Sequence, residues 1–317
     1  MWQNLLLAFG AVLPFMVFLA LGYFAVRAKL SDESFMEKLN KFTFKLFFPL
    51  LMFKNVYSAS ADSVPSLKLI IVAVVGVIAL LVLLWFTVPR VVKENPRRGV
   101  IIQALFRANF LLYGIPLITN VFGEERASIT GFMSLIVISL FNVMAVVVLE
   151  SFNEKGAGGL KIGKLLLNLV KNPLLQGCFA GLIFFFLKIK LPDVVYSPIR
   201  TLGDMATPLG MITLGGTLKF KSFGKNRRAI ISVTALRLVA LPLVMTLIAY
   251  LVGLRGAEMF MITVIFGTPV AVASYPMAVN MGGDGELAGQ LVFVTTLVSL
   301  VTIFLFIFSM AQLGLLV

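Results

Sequence analysis

The chain is a succession of apolar stretches, each close to the roughly 20 residues that a helix needs to cross a bilayer, separated by short loops. Eight stretches are plain: residues 5–26, 67–88, 99–121, 127–149, 173–187, 229–252, 259–281 and 288–310. Two more are polar enough to be ambiguous. Residues 42–57 carry Lys45, Pro49 and Lys54, and residues 198–218 carry Arg200, Asp204, Thr207 and Pro208. With all ten counted as spans, the odd-numbered loops hold seventeen Lys and Arg residues. The even-numbered loops hold four, Arg126, Lys188, Lys190 and Arg255. Leaving out either ambiguous stretch destroys this alternation, so the expectation is ten transmembrane helices. Basic loops stay on the cytoplasmic side, which puts both termini on the outer side of the cell inner membrane.

Sixty per cent of the 317 residues are hydrophobic and only 13% are charged, more apolar surface than a soluble domain of this length buries. The fold class expected is therefore all-α integral membrane, with the lipid bilayer as the solvent. The formal charge of +13 sits in the short loops, where it reads as orientation signal and not as a nucleic-acid surface. Met1 leads straight into an apolar run without a small-residue cleavage site, as expected of an uncleaved first span. The single cysteine, Cys178, lies inside a span and is expected to pack there. The chain has no histidine, so the commonest metal ligand and proton switch are missing. HExxH and nucleophile–base constellations are absent too, and no enzyme, metal site or cofactor is expected. The run Gly282-Gly283-Asp284-Gly285 lacks the context of a phosphate loop and reads as a tight turn.

Ten spans divide into five and five, residues 1–150 and 173–317. They are joined by a cytoplasmic segment at 151–172 that contains Gly156, Gly158 and Gly159. The part of that segment from Leu160 to Lys171 places lysines on one side of a short helix, as an interfacial helix does. An odd number of spans per half forces opposite orientations, an inverted repeat about an axis in the membrane plane. The halves also share sequence. Pro116-Leu-Ile-Thr-Asn120-Val-Phe-Gly123-Glu124 matches Pro276-Met-Ala-Val-Asn280-Met-Gly-Gly283-Asp284, and Ser139-Leu140 falls on Ser299-Leu300. Pro49-Leu50-Leu51-Met52 matches Pro208-Leu209-Gly210-Met211 at nearly the same offset. The matched prolines predict that spans 4 and 9 are broken near Pro116 and Pro276 and cross there.

Backbone freed by a broken helix is tolerated in a membrane only where it faces a cavity. Half-helices starting near Pro116 and Pro276 would aim amide N–H groups at the centre and suit a carboxylate. Span 4 offers Asn109, Tyr113, Gly114, Ile115 and Pro116 as substrate-binding candidates, and span 9 offers Thr268, Pro269, Ser274, Tyr275 and Pro276. Asn109 either reaches the opened backbone or a ligand, or bonds a neighbouring helix. Arg107 and Arg237 lie at comparable depths in their spans and are candidates to face a water-filled route on the cytoplasmic side. Asp204 either pairs with Arg200 one turn away or binds a coupling cation. Lys45 and Lys54 are expected to snorkel to opposite faces.

The stretch Asn109-Phe-Leu-Leu-Tyr-Gly114-Ile115-Pro116 is similar to the Asn-x4-Gly-Ile-Pro of the plant PIN-formed auxin carriers. Leu39-Asn-Lys-Phe, Phe48-Pro49-Leu50-Leu51, Lys171-Asn172-Pro173 and Pro208-Leu209-Gly210-Met211 extend the likeness. Over nearly its whole length the chain resembles the auxin efflux carrier family, whose bacterial members include malonate and malate permeases. That resemblance implies a fold similar to the sodium/proton antiporters and bile-acid symporters, with a scaffold of spans 1, 2, 6 and 7. Spans 3–5 and 8–10 would form the moving transport part. It further implies alternating access, a carboxylate contact at Asn109 and a homodimer through the scaffold. The plant carriers' long hydrophilic central loop is missing here, and the spacing of Pro269 to Pro276 is wider than theirs, so indole specificity does not carry over. The expected substrate is a small organic anion: a carboxylate or dicarboxylate such as malonate, malate or an auxin-like acid. Alternatives are a sodium- or proton-coupled carrier of a bile-acid-like solute or amino acid, and a non-transporting sensor.

Overall fold

A backbone N–H or C=O in lipid has no water to bond, and helix is the way a single segment satisfies all of its own groups. The computed structural model describes residues 2–59, 65–153 and 162–316, with side chains except those of residues 2–12, 111, 115, 124–128, 162, 164 and 165. Every regular element among the described residues is helical. The first half of the chain folds into α1 (Trp2–Arg27), α2 (Glu33–Tyr57), α3 (Leu67–Val91), α4 (Asn95–Phe106), α5 (Phe110–Phe122) and α6 (Glu124–Ser151). A short α7 (Ile162–Lys171) leads into α8 (Pro173–Phe186) and α9 (Asp193–Thr217). Next, α10 (Phe223–Ala235) runs through a π turn at Leu236–Ala240 into α11 (Leu241–Leu251). The chain ends with α12 (Gly256–Gly267), α13 (Ser274–Asn280) and α14 (Gly285–Gln312). Among the described residues four helical runs are long and apolar enough to cross a membrane by themselves: Leu67–Val91, Ile129–Ser151, Phe220–Leu251 and Gly285–Gln312.

Helix boundaries follow local chemistry. Asp32 accepts the Phe35 N–H at 2.7 Å to start α2, and Asn172 accepts the Leu174 N–H at 3.0 Å ahead of Pro173. The Gly282–Gly285 run is the expected tight turn: Gly282 takes a φ of +77°, and Asp284 caps α14 through the Leu287 N–H. The linker glycines Gly156, Gly158 and Gly159 lie outside the described residues. In α7, Leu166, Leu167 and Val170 are exposed while Asn168 donates to Glu150 at 2.7 Å, leaving an apolar face uncovered as an interfacial helix does.

Four helices pack with their backbones almost in contact. α2 lies against both α8 and α9, and α9 also lies against α1. A Cβ at Gly215 would overlap the Leu19 carbonyl, one at Gly22 the Ile212 carbonyl, and one at Gly177 the Pro49 carbonyl. Small residues let membrane helices approach this closely and gain dispersion contacts that lipid does not supply.

Among the described residues each half of the chain contains one interrupted helix, in the first half ahead of Pro116 by a full turn and more, in the second just before Pro276. The first interruption falls at Arg107–Asn109, between α4 and α5; the second runs from Thr268 to Ala273, between α12 and α13. Pro116 lies well inside α5, which continues past it, since in lipid one lost bond costs less than an unwound turn. Pro276 is the third residue of α13, where an N–H has no partner within the helix in any case. The two extended breaks cross as an antiparallel bridge between Ala108 and Val270. Asn109 N–H donates to the Pro269 carbonyl at 2.8 Å, and Ala271 N–H donates to the Arg107 carbonyl at 3.3 Å.

Arg237 closes the crossing. It is fully buried and donates from Nε to the Thr268 carbonyl at 3.0 Å. Its two terminal nitrogens donate to the carbonyls of Leu105 at 2.8 Å and Ile265 at 3.1 Å. These carbonyls belong to the C-terminal ends of α4 and α12, which carry partial negative charge. Arg237 therefore does not face a water-filled route; it caps two helix ends at once, and the π turn is where it leaves its own helix.

Replacing Arg237 with Met would strand three buried carbonyls, with an expected loss of about 3 kcal/mol or more. Thermal unfolding of the purified protein in detergent measures it, and Arg237→Lys should recover only part of the loss. By the same measurement Gly215→Val should lower stability by about 1–3 kcal/mol. Gly224→Ala, where nothing lies within 4 Å of the added carbon, should not.

Candidate functional site

A cavity of about 70 Å³ lies where the two breaks face α2, α6 and α9. Its apolar wall includes Phe48, Met52 and Phe141; its polar atoms come from Asn55, Arg107, Asn109, Asn142 and Thr207. The backbone from Ala271 to Ala273 completes it. A volume this size holds a few water molecules or a small solute.

Arg107 is only 4% exposed, yet no Asp or Glu lines the cavity with it. One terminal nitrogen donates to Asn142 Oδ1 at 2.7 Å and the other to the Met277 sulfur at 2.6 Å. A neutral amide and a thioether supply no negative charge, and a buried cation without a counter-charge is costly. Asn142 is fixed in turn by a contact from Nδ2 to the Met52 sulfur at 2.8 Å. Asn109 spends its backbone N–H on Pro269, and its side chain does not cap α5. Among the described residues its carboxamide has no hydrogen-bond partner, and it lines the cavity. Since α5 lacks a side-chain cap, the amides of its first turn remain available beside Asn109.

The remaining sequence candidates divide into supports and bystanders. Thr268 and Pro269 give their carbonyls to Arg237 and Asn109 and so hold the crossing. Tyr113 lies inside α5 with its hydroxyl buried beside Ser299 and is not part of the cavity wall. At Gly114 a Cβ would meet the Phe110 ring at 2.9 Å, so that glycine serves packing. The side chain of Ile115 lies outside the described ones, and the Pro116 carbonyl accepts from Asn120 at 2.6 Å. Ser274 opens α13 with a buried hydroxyl lacking a partner, and the Pro276 carbonyl accepts from Asn280 at 2.8 Å. Asp204 pairs with Lys54 and, at 4.0 Å, with Arg200; it is half exposed and is not part of the cavity wall. Lys54 thus bonds a carboxylate on α9.

Sequence reasoning missed Asn142, Asn55 and the sulfur atoms of Met52 and Met277. Asn142 had a signal: it is a lone amide inside the long apolar run of α6. The methionines had none, because nothing in sequence separates a packing thioether from one aimed at a guanidinium.

On the opposite side of the crossing, α13 is tied to α2 and α9. Asn280 donates to Asn40 at 2.9 Å, Asn40 donates to Thr213 at 3.3 Å, and the hydroxyls of Tyr275 and Thr217 share a hydrogen at 2.6 Å. Beyond them the Lys219 ammonium meets Glu33 at 2.9 Å, and that hydrogen bond and charge hold Lys219 above its ordinary pKa.

The chain matches the family described as membrane transport protein over residues 7–307. It is 24% identical over 296 residues to an uncharacterized transporter of Methanothermobacter thermautotrophicus, covering 92% of this chain and 95% of that protein. To an uncharacterized transporter of Methanocaldococcus jannaschii it is 25% identical over 307 residues, with 92% and 95% covered. An all-helical chain with helices apolar enough to cross a membrane, matched from near its start to near its end, belongs to the membrane transport protein family of the auxin efflux carrier type.

Proposed function

We propose that this protein is a ten-span secondary transporter of a small organic anion, working by alternating access in the cell inner membrane. In this reading the helix pairs α4–α5 and α12–α13 are the broken spans of a five-plus-five inverted repeat, and the substrate binds where they cross. The glycine-packed helices α1, α2, α8 and α9 form the scaffold, and the other helices move against it. Both termini lie outside, by the loop charges. No cofactor takes part; a sodium ion or proton is the candidate coupling partner, and the scaffold is the surface for a homodimer.

One observation carries the proposal. Arg107 is a buried cation that shares its cavity with Asn109, an amide without a partner among the described residues, and with no acid in the wall. A soluble carboxylate supplies what this cavity lacks, a negative charge and acceptor oxygens. The cavity lies on the side of the crossing toward the C-terminal end of α2, while the Asn40–Asn280 and Thr217–Tyr275 contacts close the other side. With the loop charges setting the orientation, this is an outward-facing or outward-occluded state.

Uptake of labelled malonate, malate and aromatic acids into proteoliposomes tests the reading. Asn109→Ala is expected to lower uptake of the transported acid about tenfold, the worth of one lost hydrogen bond to a charge. Asp204→Asn is expected to keep both the uptake and its ion dependence, since that carboxylate pairs with Lys54 and does not line the cavity. Undiminished uptake by the Asn109 variant would remove the proposed site.

A further inference from the structure

We infer that α13 is a gate that moves by itself, swinging away from α2 and α9 to open the closed side of the crossing while α12 and α14 stay in place. This rests on the transporter reading above and adds to it a part smaller than the group that shifts against the scaffold.

The two halves differ at this point. In the register that sets Pro116 on Pro276, residues 270–273 fall on residues 110–113. Phe110 to Tyr113 form the first turn of α5, a helix of 13 residues. Residues 270–273 are unwound, so α13 keeps only seven residues, with extended backbone ahead of it and a turn behind it. That turn, Met281 to Asp284, contains Gly282 at a φ of +77°, which glycine adopts without strain. Two turns of helix with non-helical chain at both ends have little stability of their own, and tertiary contacts decide where they lie.

Those contacts are exchangeable. Among the described residues no backbone hydrogen bond joins Ser274–Asn280 to another helix. Asn280 holds Asn40 on α2, and the Tyr275 hydroxyl meets Thr217 on α9. The Met277 sulfur accepts from Arg107 at 2.6 Å and from Gln103 on α4 at 3.7 Å. A thioether on a flexible stem is a soft acceptor that repacks at little cost.

The closed position also leaves polar atoms unmet. Thr43 Oγ1 lies one turn along α2 from Asn40, Gln103 Oε1 belongs to the amide that faces Met277, and Ser274 Oγ opens α13. None of the three has a partner among the described residues, and none of these side chains is more than 3% exposed. Buried polar groups normally find partners, and a contact that never opened would be better served by apolar side chains. Water entering beside a displaced α13 supplies what each lacks, so opening returns part of what the lost ties cost.

A cross-link confined to the moving group tests the inference. A Cβ at Gly285 would stand 3.6 Å from the Val279 Cβ, within disulfide range, so Val279→Cys with Gly285→Cys ties α13 to the start of α14. Both changes are made in Cys178→Ala, which removes the chain's one cysteine. In proteoliposomes, uptake is followed for whichever acid the wild type carries among labelled malonate, malate and the aromatic acids. Oxidation of the pair is expected to lower it about tenfold or more, and reduction to restore it. A rigid shift of α13 together with α14 would proceed despite the link. Oxidised uptake within about twofold of the reduced rate therefore overturns the inference and leaves the transporter reading standing. Labelling in detergent reads the gate without transport. Thr43→Cys, again in Cys178→Ala, is expected to react with a charged thiol reagent about fivefold faster when Asn280→Ala removes the tie to Asn40, the worth of one side-chain hydrogen bond. An unchanged rate overturns the inference. Absence of uptake of every acid by the wild type overturns the transporter reading, and the labelling rate then still decides for or against a moving α13.

Discussion

Unwound backbone inside a membrane must find partners in protein, and the fold around the crossing is organised by that requirement. The breaks at Arg107–Asn109 and Thr268–Ala273 solve most of it for each other, through two backbone hydrogen bonds across the Ala108–Val270 bridge. Thr295 accepts the Val270 N–H at 3.2 Å from α14, and Arg237 takes up three carbonyls. Carbonyl ends are thus answered from within the protein, whereas on the amide side Asn109 and the first turn of α5 are left without a capping side chain. The asymmetry gives the crossing its sign. A pair of broken helices alone would present positive and negative ends in equal number; capping only the negative ones turns a neutral junction into a cation-rich one.

The two buried arginines show why residue type and depth do not fix a role. Arg107 and Arg237 look alike in sequence, each a lone base some way into an apolar run. Arg237 meets three carbonyls at helix ends and is spent. Arg107 sits in a break, where extended backbone turns its side chain toward the cavity, and finds only an amide and a thioether. The difference lies in what each faces, and facing is set by a π turn in one case and a lost helical turn in the other. Neither is visible in residue spacing.

The helical character of the apolar stretches, the tight turn before α14 and the presence of an interruption in each half were legible in sequence, because length, glycine and polarity each act locally. The position of the first interruption was not. Proline was the guide, and it served in the second half, where the break contains Pro269 and α13 begins two residues before Pro276. In the first half it misled: Pro116 rides inside α5, and the break there contains no proline at all. Its local mark is instead the pair of polar residues Arg107 and Asn109 within an apolar run. Their side chains gain nothing from lipid, and they leave the helix where a second broken strand offers backbone partners. That gain is tertiary, and a single stretch of sequence does not contain it. The candidate site was legible in the same proportion: Asn109 and Arg107 reach the cavity, while Tyr113 and Asp204, chosen for their chemistry, lie elsewhere.

How the molecule is joined bears on the cycle proposed for it. Inside the group α1, α2, α8 and α9, glycines let backbone meet backbone, so relative movement there would open voids or force clashes. Between that group and the crossing the contacts are of another kind. Gly289 meets the end of the Leu214 side chain, Gly210 meets Val272, and the polar ties are side-chain pairs such as Asn40–Asn280 and Thr217–Tyr275. Side-chain hydrogen bonds of this sort are each worth about 1 kcal/mol net, since water or new partners replace them when they part. A few such ties hold one arrangement by only a few kcal/mol, a gap that differential binding of a charged ligand is large enough to reverse. Strength within the glycine-packed group and modest, exchangeable bonds across its border are the combination a rigid-body shift needs, and here both follow from where the glycines and the amides fall in the sequence.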